Sequence, residues 1–170
     1  MARGEKKFFN IYAAAHNNAA ELLSDAEVLL ERERWATAYF LAFTALEEIS
    51  KSQLAADVWT GFINEKEFWD VYTSHRHKVG RMARASNDAR RYLDVETEQY
   101  IDVQEPQVKR RMSALYVECN QNRIEVESPR ELITEDMAKS LVHTVRSAFH
   151  SIFVVTEYWG HQIGTKGFMK

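Results

Sequence analysis

Apolar residues recur at every third or fourth position along most of the chain, which is the period of an α-helix. This spacing predicts a first helix over residues 8–30. After a charged corner at residues 32–34, the segment from Trp35 to Trp59 predicts a second helix. Gly61 lies just beyond it, and glycine suits a helix C-terminus. Residues 35–46 carry no charge, so this helix is expected to be buried on every side.

A third helix is predicted to begin after Asn64, whose side chain suits a helix N-cap. It is expected to continue over residues 65–92, with a bend at Gly80. A weaker helix is predicted over residues 95–112. It is interrupted at Pro106, because proline disturbs the interior of a helix.

The pattern then changes from a helical period to a strand-like alternation. Residues 114–119 and 123–127 alternate apolar and polar side chains. Residues 120–122 between them are Asn, Gln and Asn, which suit a tight turn. We therefore expect a short β-hairpin, closed at Ser128-Pro129.

The last long helix is predicted to begin at Thr134, an N-cap residue followed by two acids, and to run to about residue 159. Residues 160–170 contain three glycines and are expected to form a loose tail. Together the elements predict an all-α fold: a bundle of four to five helices with a short β-hairpin insertion before the last long helix. At 170 residues the chain is expected to be a single domain over residues 1–170.

Composition narrows the classes of function. Two prolines and six glycines favour long helices, and a net charge of −3 gives no overall attraction to nucleic acid. The single cysteine, Cys119, excludes an internal disulfide and a cysteine-based zinc site. No window approaches the ~20 apolar residues that span a bilayer. No apolar signal-peptide run follows the basic start, so we expect a cytoplasmic protein without membrane association.

Sequence fingerprints of metal and cofactor sites are missing. No histidine has a glutamate three residues before it, and there is no His-Glu-x-x-His motif. The P-loop, dinucleotide and Gly-x-Ser-x-Gly fingerprints are also absent. Glu157 and His161 are four residues apart, but one such pair is weak evidence. We expect no cofactor and no metal.

Positive charge is concentrated in one segment. Residues 74–92 contain one acid, Asp88, and six cations: Arg76, Lys78, Arg81, Arg84, Arg90 and Arg91. His75 and His77 lie among them. Clustered cations are typical of a phosphate-binding surface. Alternatively, they form a solvated helix face that the acidic residues 93–105 neutralise.

Charge also enters the apolar second helix, in the run Glu47-Glu48-Ile49-Ser50-Lys51. Glu47 and Lys51 are four residues apart and are expected to pair. Glu48 lies on another row of the helix, among small and apolar residues, and is expected to face a neighbouring helix. A buried carboxylate there needs a cation from elsewhere in the fold. A structural ion pair and a functional site are equally compatible with this pattern.

The expected partners of Glu48 are His75, Lys78 and Arg111. His75 and Lys78 are three residues apart and share a helix face. A histidine close to a lysine and a carboxylate suits acid–base work on a ribose hydroxyl or a phosphate. Alternatively, His75 is a helix-end histidine satisfied by the backbone or by Glu48.

Three blocks of the sequence resemble one family, the AbiV abortive-infection proteins of the HEPN superfamily. They occur in the family's order: Ala19 to Ala26 with Ala38 to Lys51; His75-x-x-Lys78; and Lys109 to Glu118 followed by Pro129 and Ile133-Thr134. Together they span most of the chain. The resemblance implies a HEPN-like helical bundle, a homodimer, and a role in bacterial or archaeal phage defence.

The superfamily contains many metal-independent ribonucleases, which carry Arg, four to six further residues and then His. No such interval occurs in this chain. The nearest is Arg146 to His150, which is one residue short, although its spacing places both groups on one helix face. The departure puts cleavage by the usual superfamily motif in doubt.

For cleavage, the candidate acid–base group is His75. Lys78 and Arg111 are the candidates for stabilising phosphate charge, with Glu48 and Lys51 orienting them. The candidate binding residues are Arg76, His77, Arg81, Arg110 and Tyr116. Tyr116 suits stacking or hydrogen bonding, with a core tyrosine as the alternative.

Three functions fit the resemblance. The first is a phage-defence effector that acts on RNA, as a metal-independent ribonuclease or as an RNA binder that arrests translation. The second is a non-catalytic helical dimer that binds a phage or host protein, with the charged groups of the second helix as a buried polar network. The third is the partner of a nucleotidyltransferase in a toxin–antitoxin pair.

Overall fold

Helices dominate the computed structural model, which describes residues 3–74, 105–120 and 125–154. In chain order the elements are α1 (Arg3–Glu31), α2 (Trp35–Trp59), α3 (Glu65–Tyr72), α4 (Glu105–Ser113), β1 (Glu118–Asn120), β2 (Glu125–Glu127), α5 (Pro129–Leu132) and α6 (Glu135–Phe149). A π-helical turn, His150–Val154, continues α6. The predicted all-α fold with a short hairpin before the last long helix is confirmed.

The first two helices form a hairpin with a tight corner. The backbone of Glu33 takes a left-handed conformation, with φ of 57°, and the N–H of Arg34 donates to the carbonyl of Leu29 at 2.9 Å. This backbone conformation reverses the chain within three residues. Both predicted helices are confirmed: α2 has the expected bounds, and α1 begins earlier than expected, at Arg3.

α2 is the central helix of the larger hydrophobic core. It packs against α1 and α6, and the largest fully buried side chains of this cluster are Tyr39, Phe43, Leu46, Ile49, Ile133 and Leu141. The expected burial on every side is wrong for one face, because Phe40, Leu41 and Thr44 are only half-buried. One side of α2 is therefore open enough to carry polar groups near its C-terminal half.

A smaller core cluster joins α3 to the N-terminal part of α1 and the C-terminal part of α2. The ring of Phe68 meets that of Phe8 edge-on, with 5.0 Å between centroids. The predicted cap is confirmed, since Asn64 Oδ1 accepts a hydrogen bond from the N–H of Glu67 at 2.9 Å. Gly61, with φ of 74°, ends α2 in the left-handed conformation that glycine adopts most easily.

The third helix is shorter than predicted, because α3 ends at Tyr72. The hydroxyl of Thr73 donates to the carbonyl of Trp69 at 3.3 Å, and the N–H of Ser74 donates to the carbonyl of Val71 at 3.0 Å. These contacts tighten the last turn and end the helix. The rest of that predicted helix, including the bend at Gly80, and the predicted residues 95–104 lie outside the described residues.

The first predicted strand also starts too early. Residues 114–117 form a turn after α4, in which the N–H of Leu115 donates to the carbonyl of Met112 at 3.0 Å. The strand begins only at Glu118. β1 and β2 pair in antiparallel fashion with Cys119 opposite Val126, which confirms the hairpin. Residues 121–124 between the strands lie outside the described part of the chain.

A short helix, α5, replaces the predicted closing turn at Pro129. The N–H and the hydroxyl of Ser128 both donate to Glu131 Oε2 at 2.7 Å. These hydrogen bonds, the one from the side chain first, lower the pKa of Glu131 below its ordinary value. Proline is tolerated here because the first helical N–H has no partner to lose.

The last long helix begins as predicted, because Thr134 Oγ1 accepts from the N–H of Met137 at 3.3 Å. α6 buries Leu141, Val142 and Val145 against α2 and ends at Phe149, where the π-helical turn begins. The predicted continuation to residue 159 and the tail over residues 160–170 lie beyond the described residues.

Candidate functional site

A buried ion pair links α2 to α4. Arg111 Nη1 donates to Glu47 Oε2 at 2.6 Å, and the side chains of Glu47 and Arg111 are 4% and 15% exposed. α2 buries Glu47 because the residues one turn away on either side, Phe43 and Ser50, are fully buried. Ala114, three residues after Arg111, is also buried and holds the same face of α4 against the core.

Glu48 makes a different contact. Its carboxylate pairs with the Lys51 ammonium within α2, and these side chains are 12% and 20% exposed. They lie on the partly open face of α2. Together with the first pair they form what we call the polar centre: Glu47, Glu48, Lys51 and Arg111.

The predicted pairing is therefore wrong in both parts. Glu47 pairs with Arg111 on α4, and Glu48 is the carboxylate that pairs with Lys51 within α2. Adjacent helical residues point about 100° apart. In a segment that is apolar all round, spacing alone does not tell which of two neighbours points inward. Arg111 was predicted to contact Glu48, but it contacts Glu47.

The polar centre also contacts α3. The Lys51 ammonium lies 5.7 Å from the centroid of the Tyr72 ring, a distance at which a cation is attracted to an aromatic face. Tyr72 is the last residue of α3, and His75 follows three positions later in the sequence. The predicted site residues His75, Arg76, His77, Lys78 and Arg81 lie outside the described residues. The structure therefore brings together three of the five candidate catalytic residues: Glu48, Lys51 and Arg111.

One nitrogen of Arg111 has no hydrogen-bond partner within the described part of the chain. Its Nε is buried and makes no hydrogen bond to the residues that the structure describes. Nη2 lies 3.7 Å from the sulfur of Met112, which is a weak acceptor. Glu47 thus accepts from Nη1 only. On the edge formed by Nε and Nη2, the one described contact is the weak hydrogen bond to the Met112 sulfur.

The two described binding candidates lie on the surface. Arg110 is exposed next to Arg111, and the Tyr116 ring is 57% exposed in the turn after α4. The alternative of a core tyrosine is wrong for Tyr116. Adjacent arginines on α4 thus differ in role: Arg111 faces the core and Arg110 faces solvent.

Arg146 and His150 lie one turn apart at the end of α6. Arg146 Nε donates to Glu27 Oε1 on α1 at 2.6 Å, and His150 is exposed at the start of the π-helical turn. The arginine side chain is 59% exposed, so the pair with Glu27 is a surface contact between α1 and α6.

Within the described ranges, no group of three His, Cys, Asp or Glu side chains is arranged to hold a metal ion. No helix in the same ranges is long and apolar enough to cross a membrane. The polar centre itself presents two cations, each paired with a carboxylate of α2.

Comparison with protein-family models gives a match over most of the chain. The family model for AbiV, a HEPN family, covers residues 7–149 of the 170-residue chain. The matched range includes every described element except the π-helical turn, which begins after it, and the first residues of α1. No curated protein and no solved structure matches the chain.

Proposed function

This chain belongs to the AbiV family of HEPN proteins, which indicates an abortive-infection function, and on that premise we propose that it acts on RNA. The observation that carries the proposal is the polar centre. It pairs Lys51 with Glu48 and Arg111 with Glu47, two neighbouring carboxylates of α2, and Lys51 also lies close to Tyr72, three residues before His75 in the sequence. Cations of this kind bind phosphate groups.

Arg111 is suited to a phosphate because of how it is held. Glu47 fixes the guanidinium through Nη1, so its orientation is set before any ligand arrives. The remaining edge, whose buried Nε makes no hydrogen bond to the described residues, has the spacing that binds two oxygens of one phosphate. A fixed donor stabilises charge that develops on a phosphate because it does not have to reorient during the reaction.

The chemistry we propose is metal-independent cleavage of an RNA strand. His75 takes the proton of a ribose 2′-hydroxyl as that oxygen bonds to the adjacent phosphorus, and the bond from phosphorus to the 5′-oxygen breaks. Lys78 and Arg111 stabilise the charge on the phosphate, and Glu48 orients Lys51 beside them. The 5′-oxygen leaves with a proton supplied by an acid group or by water.

The test is RNA integrity in the presence of the purified protein. Total RNA and tRNA are incubated with the wild type and with His75→Ala, and His143→Ala serves as the control because His143 is an exposed histidine on α6. We expect cleavage by the wild type and His143→Ala and none by His75→Ala, with equal melting temperatures. A His75→Ala protein that cleaves RNA at the wild-type rate would remove this residue from the mechanism.

A non-catalytic function has one observation in its favour. Both carboxylates of the polar centre already pair with cations of the same chain, as expected for a network that only fixes the fold. In that case the protein is a helical dimer that binds a phage or host protein, and purified wild type leaves RNA intact. Growth arrest on expression without loss of RNA would favour this function over cleavage.

A further inference from the structure

A cleft lies between the corner that joins α1 to α2 and the start of α5. Its volume is about 660 Å³, within the range of about 300–1,000 Å³ that is typical of small-molecule sites. The corner and the first turn of α2 supply residues 33–37, the turn after α4 supplies Ala114 and Leu115, and the start of α5 supplies residues 128–130. The four residues of the polar centre do not line it. We call this separate feature the corner cleft.

Two arginines from different elements line the corner cleft. Arg34 comes from the corner and Arg130 from α5. Both are exposed, and neither side chain makes a hydrogen bond or an ion pair with another residue of the described ranges. A guanidinium has five donors in a planar fork that matches the oxygens of a phosphate. Within the described part of the chain, the donors of both guanidinia are therefore free to bind a phosphate in the cleft.

The start of α2 adds to the positive potential, and one acid limits it. The first turn of α2 has no acidic residue and no side-chain cap, so the partial positive charge of the helix N-terminus is not offset there. Glu33 is the one acid among the lining residues, against two cations. Its carboxylate repels a second phosphate. The corner cleft therefore favours a ligand with one phosphate group over a polyphosphate.

Trp35 gives the cleft an aromatic surface. It packs against the larger core and is only half-buried, which leaves part of it accessible at the cleft. Ala114, Leu115 and Pro129 supply further apolar surface. An accessible indole stacks on flat rings and adds affinity beyond the area that it buries. The ligand that suits this lining carries a flat ring next to its phosphate.

We propose that the corner cleft binds a small phosphate monoester with a flat ring. The phosphate oxygens accept from the guanidinia of Arg34 and Arg130, and the ring lies on Trp35. The end of an RNA strand fits less well, because Glu33 repels the phosphates that follow the first. The proposal does not depend on whether the polar centre cleaves RNA, since the two sites share no residue.

Calorimetric titration of the purified full chain with phenyl phosphate tests the cations. Arg34→Gln and Arg130→Gln are each expected to weaken binding at least about tenfold, which corresponds to one hydrogen bond between charged groups. Arg32→Gln is the matched control, because Arg32 is exposed at the same corner and does not line the cleft. This control is expected to bind as the wild type does. Equal melting temperatures of the three variants exclude a loss of fold as the cause.

A comparison of ligands tests the ring and the acid. The wild type is expected to bind phenyl phosphate at least about tenfold more tightly than inorganic phosphate, and Trp35→Leu to remove most of that difference. Both ligands are measured on the same variant, so a general loss of stability from the core contact of Trp35 does not decide the result. Glu33→Gln is expected to raise the affinity for pyrophosphate relative to that for phosphate.

Three outcomes would overturn the proposal. A wild type that binds no phenyl phosphate at millimolar concentration has no such site. Binding that Arg34→Gln and Arg130→Gln both leave unchanged places the phosphate elsewhere on the chain. A 5′-phosphorylated RNA that depends on these two arginines and binds at least about tenfold more tightly than phenyl phosphate assigns the cleft to the end of an RNA strand.

Discussion

Replacing Arg111 by methionine isolates the contribution of the buried ion pair. Methionine keeps much of the volume of the arginine stem, but it leaves the Glu47 carboxylate, 4% exposed, without the guanidinium that lies 2.6 Å away. Breaking a buried pair by removing one partner costs roughly 3–5 kcal/mol, because the remaining charge is uncompensated. We expect Arg111→Met to lower the free energy of unfolding by that amount.

The size of the effect is clear in a thermal melt. For a chain of this length, 1 kcal/mol corresponds to roughly 2–4 °C in melting temperature, so the expected decrease is about 6–20 °C. Arg146→Met is the matched control, since its pair with Glu27 is also 2.6 Å long but far more exposed. An exposed pair contributes about 0.2–1 kcal/mol, so that variant is expected to lose less than about 4 °C.

A second substitution separates the charge from the packing. Glu47→Gln in the Arg111→Met background replaces the carboxylate that has lost the guanidinium by a neutral amide of the same shape. The remaining cost is that of an incompletely bonded buried amide, about 1–3 kcal/mol, so the double variant is expected to be more stable than Arg111→Met alone. Unfolding by urea, followed by circular dichroism at one fixed protein concentration, gives all three free energies.

Two results would refute this reasoning. If Arg111→Met melts within the range of Arg146→Met, the guanidinium does not compensate a buried charge. If Glu47→Gln fails to recover stability in the Arg111→Met background, the loss comes from packing around α4 and not from the carboxylate.

Two further predictions concern the ends of α1 and α3. Asn64→Ala removes the acceptor for the N–H of Glu67 and is expected to cost about 1 kcal/mol in urea unfolding; an unchanged midpoint would show that the cap is dispensable. Hydrogen bonds from Lys7, at 2.5 Å, and from Trp69 lower the pKa of Glu65 below its ordinary value of 4.5. The folded state then binds fewer protons than the unfolded state, so this stabilisation is present above pH 4.5 and is lost as the pH falls through the folded pKa. NMR titration is expected to show the low pKa in the wild type and a higher one in Lys7→Met.

The bounds of α2 could be predicted from sequence because local signals agree with the fold. Its uncharged start follows a charged corner, and Gly61 supplies the left-handed residue that ends it. The end of α3 could not be predicted from periodicity, since the helical pattern continues past Tyr72. There, hydrogen bonds from Thr73 and Ser74 satisfy carbonyls of the last turn.

The short helix α5 was also not predicted from sequence, but the reason differs from that for the end of α3. Ser128-Pro129 is compatible with a turn and with a helix start, and proline alone does not separate the two. The distinguishing signal is Glu131, three residues after Ser128, because serine followed by glutamate at that spacing is a capping box. The same spacing rule, applied to this stretch, predicts the helix.

At the candidate site, sequence identifies the charged residues but not their partners. The run Glu47-Glu48 marks the polar centre, yet the choice between the two carboxylates depends on which side of α2 faces α4. That orientation is set by the packing of α1 and α6 against α2, which the sequence of α2 does not contain. Arg111 carries one local signal, its three-residue spacing from the buried Ala114.

The attachment of α4 has a consequence for how the molecule opens. Within residues 109–116, Arg111 and Ala114 face the core, whereas Met112, Leu115 and Tyr116 are largely exposed, so this part of the chain buries little apolar surface against α2. Segments with few buried contacts open at a lower free energy than the whole molecule unfolds. We therefore expect the amides of α4 and the hairpin to exchange with deuterium before those of α2. Since the Glu47–Arg111 pair joins α4 to α2, we expect a weaker pair to make this local opening more frequent.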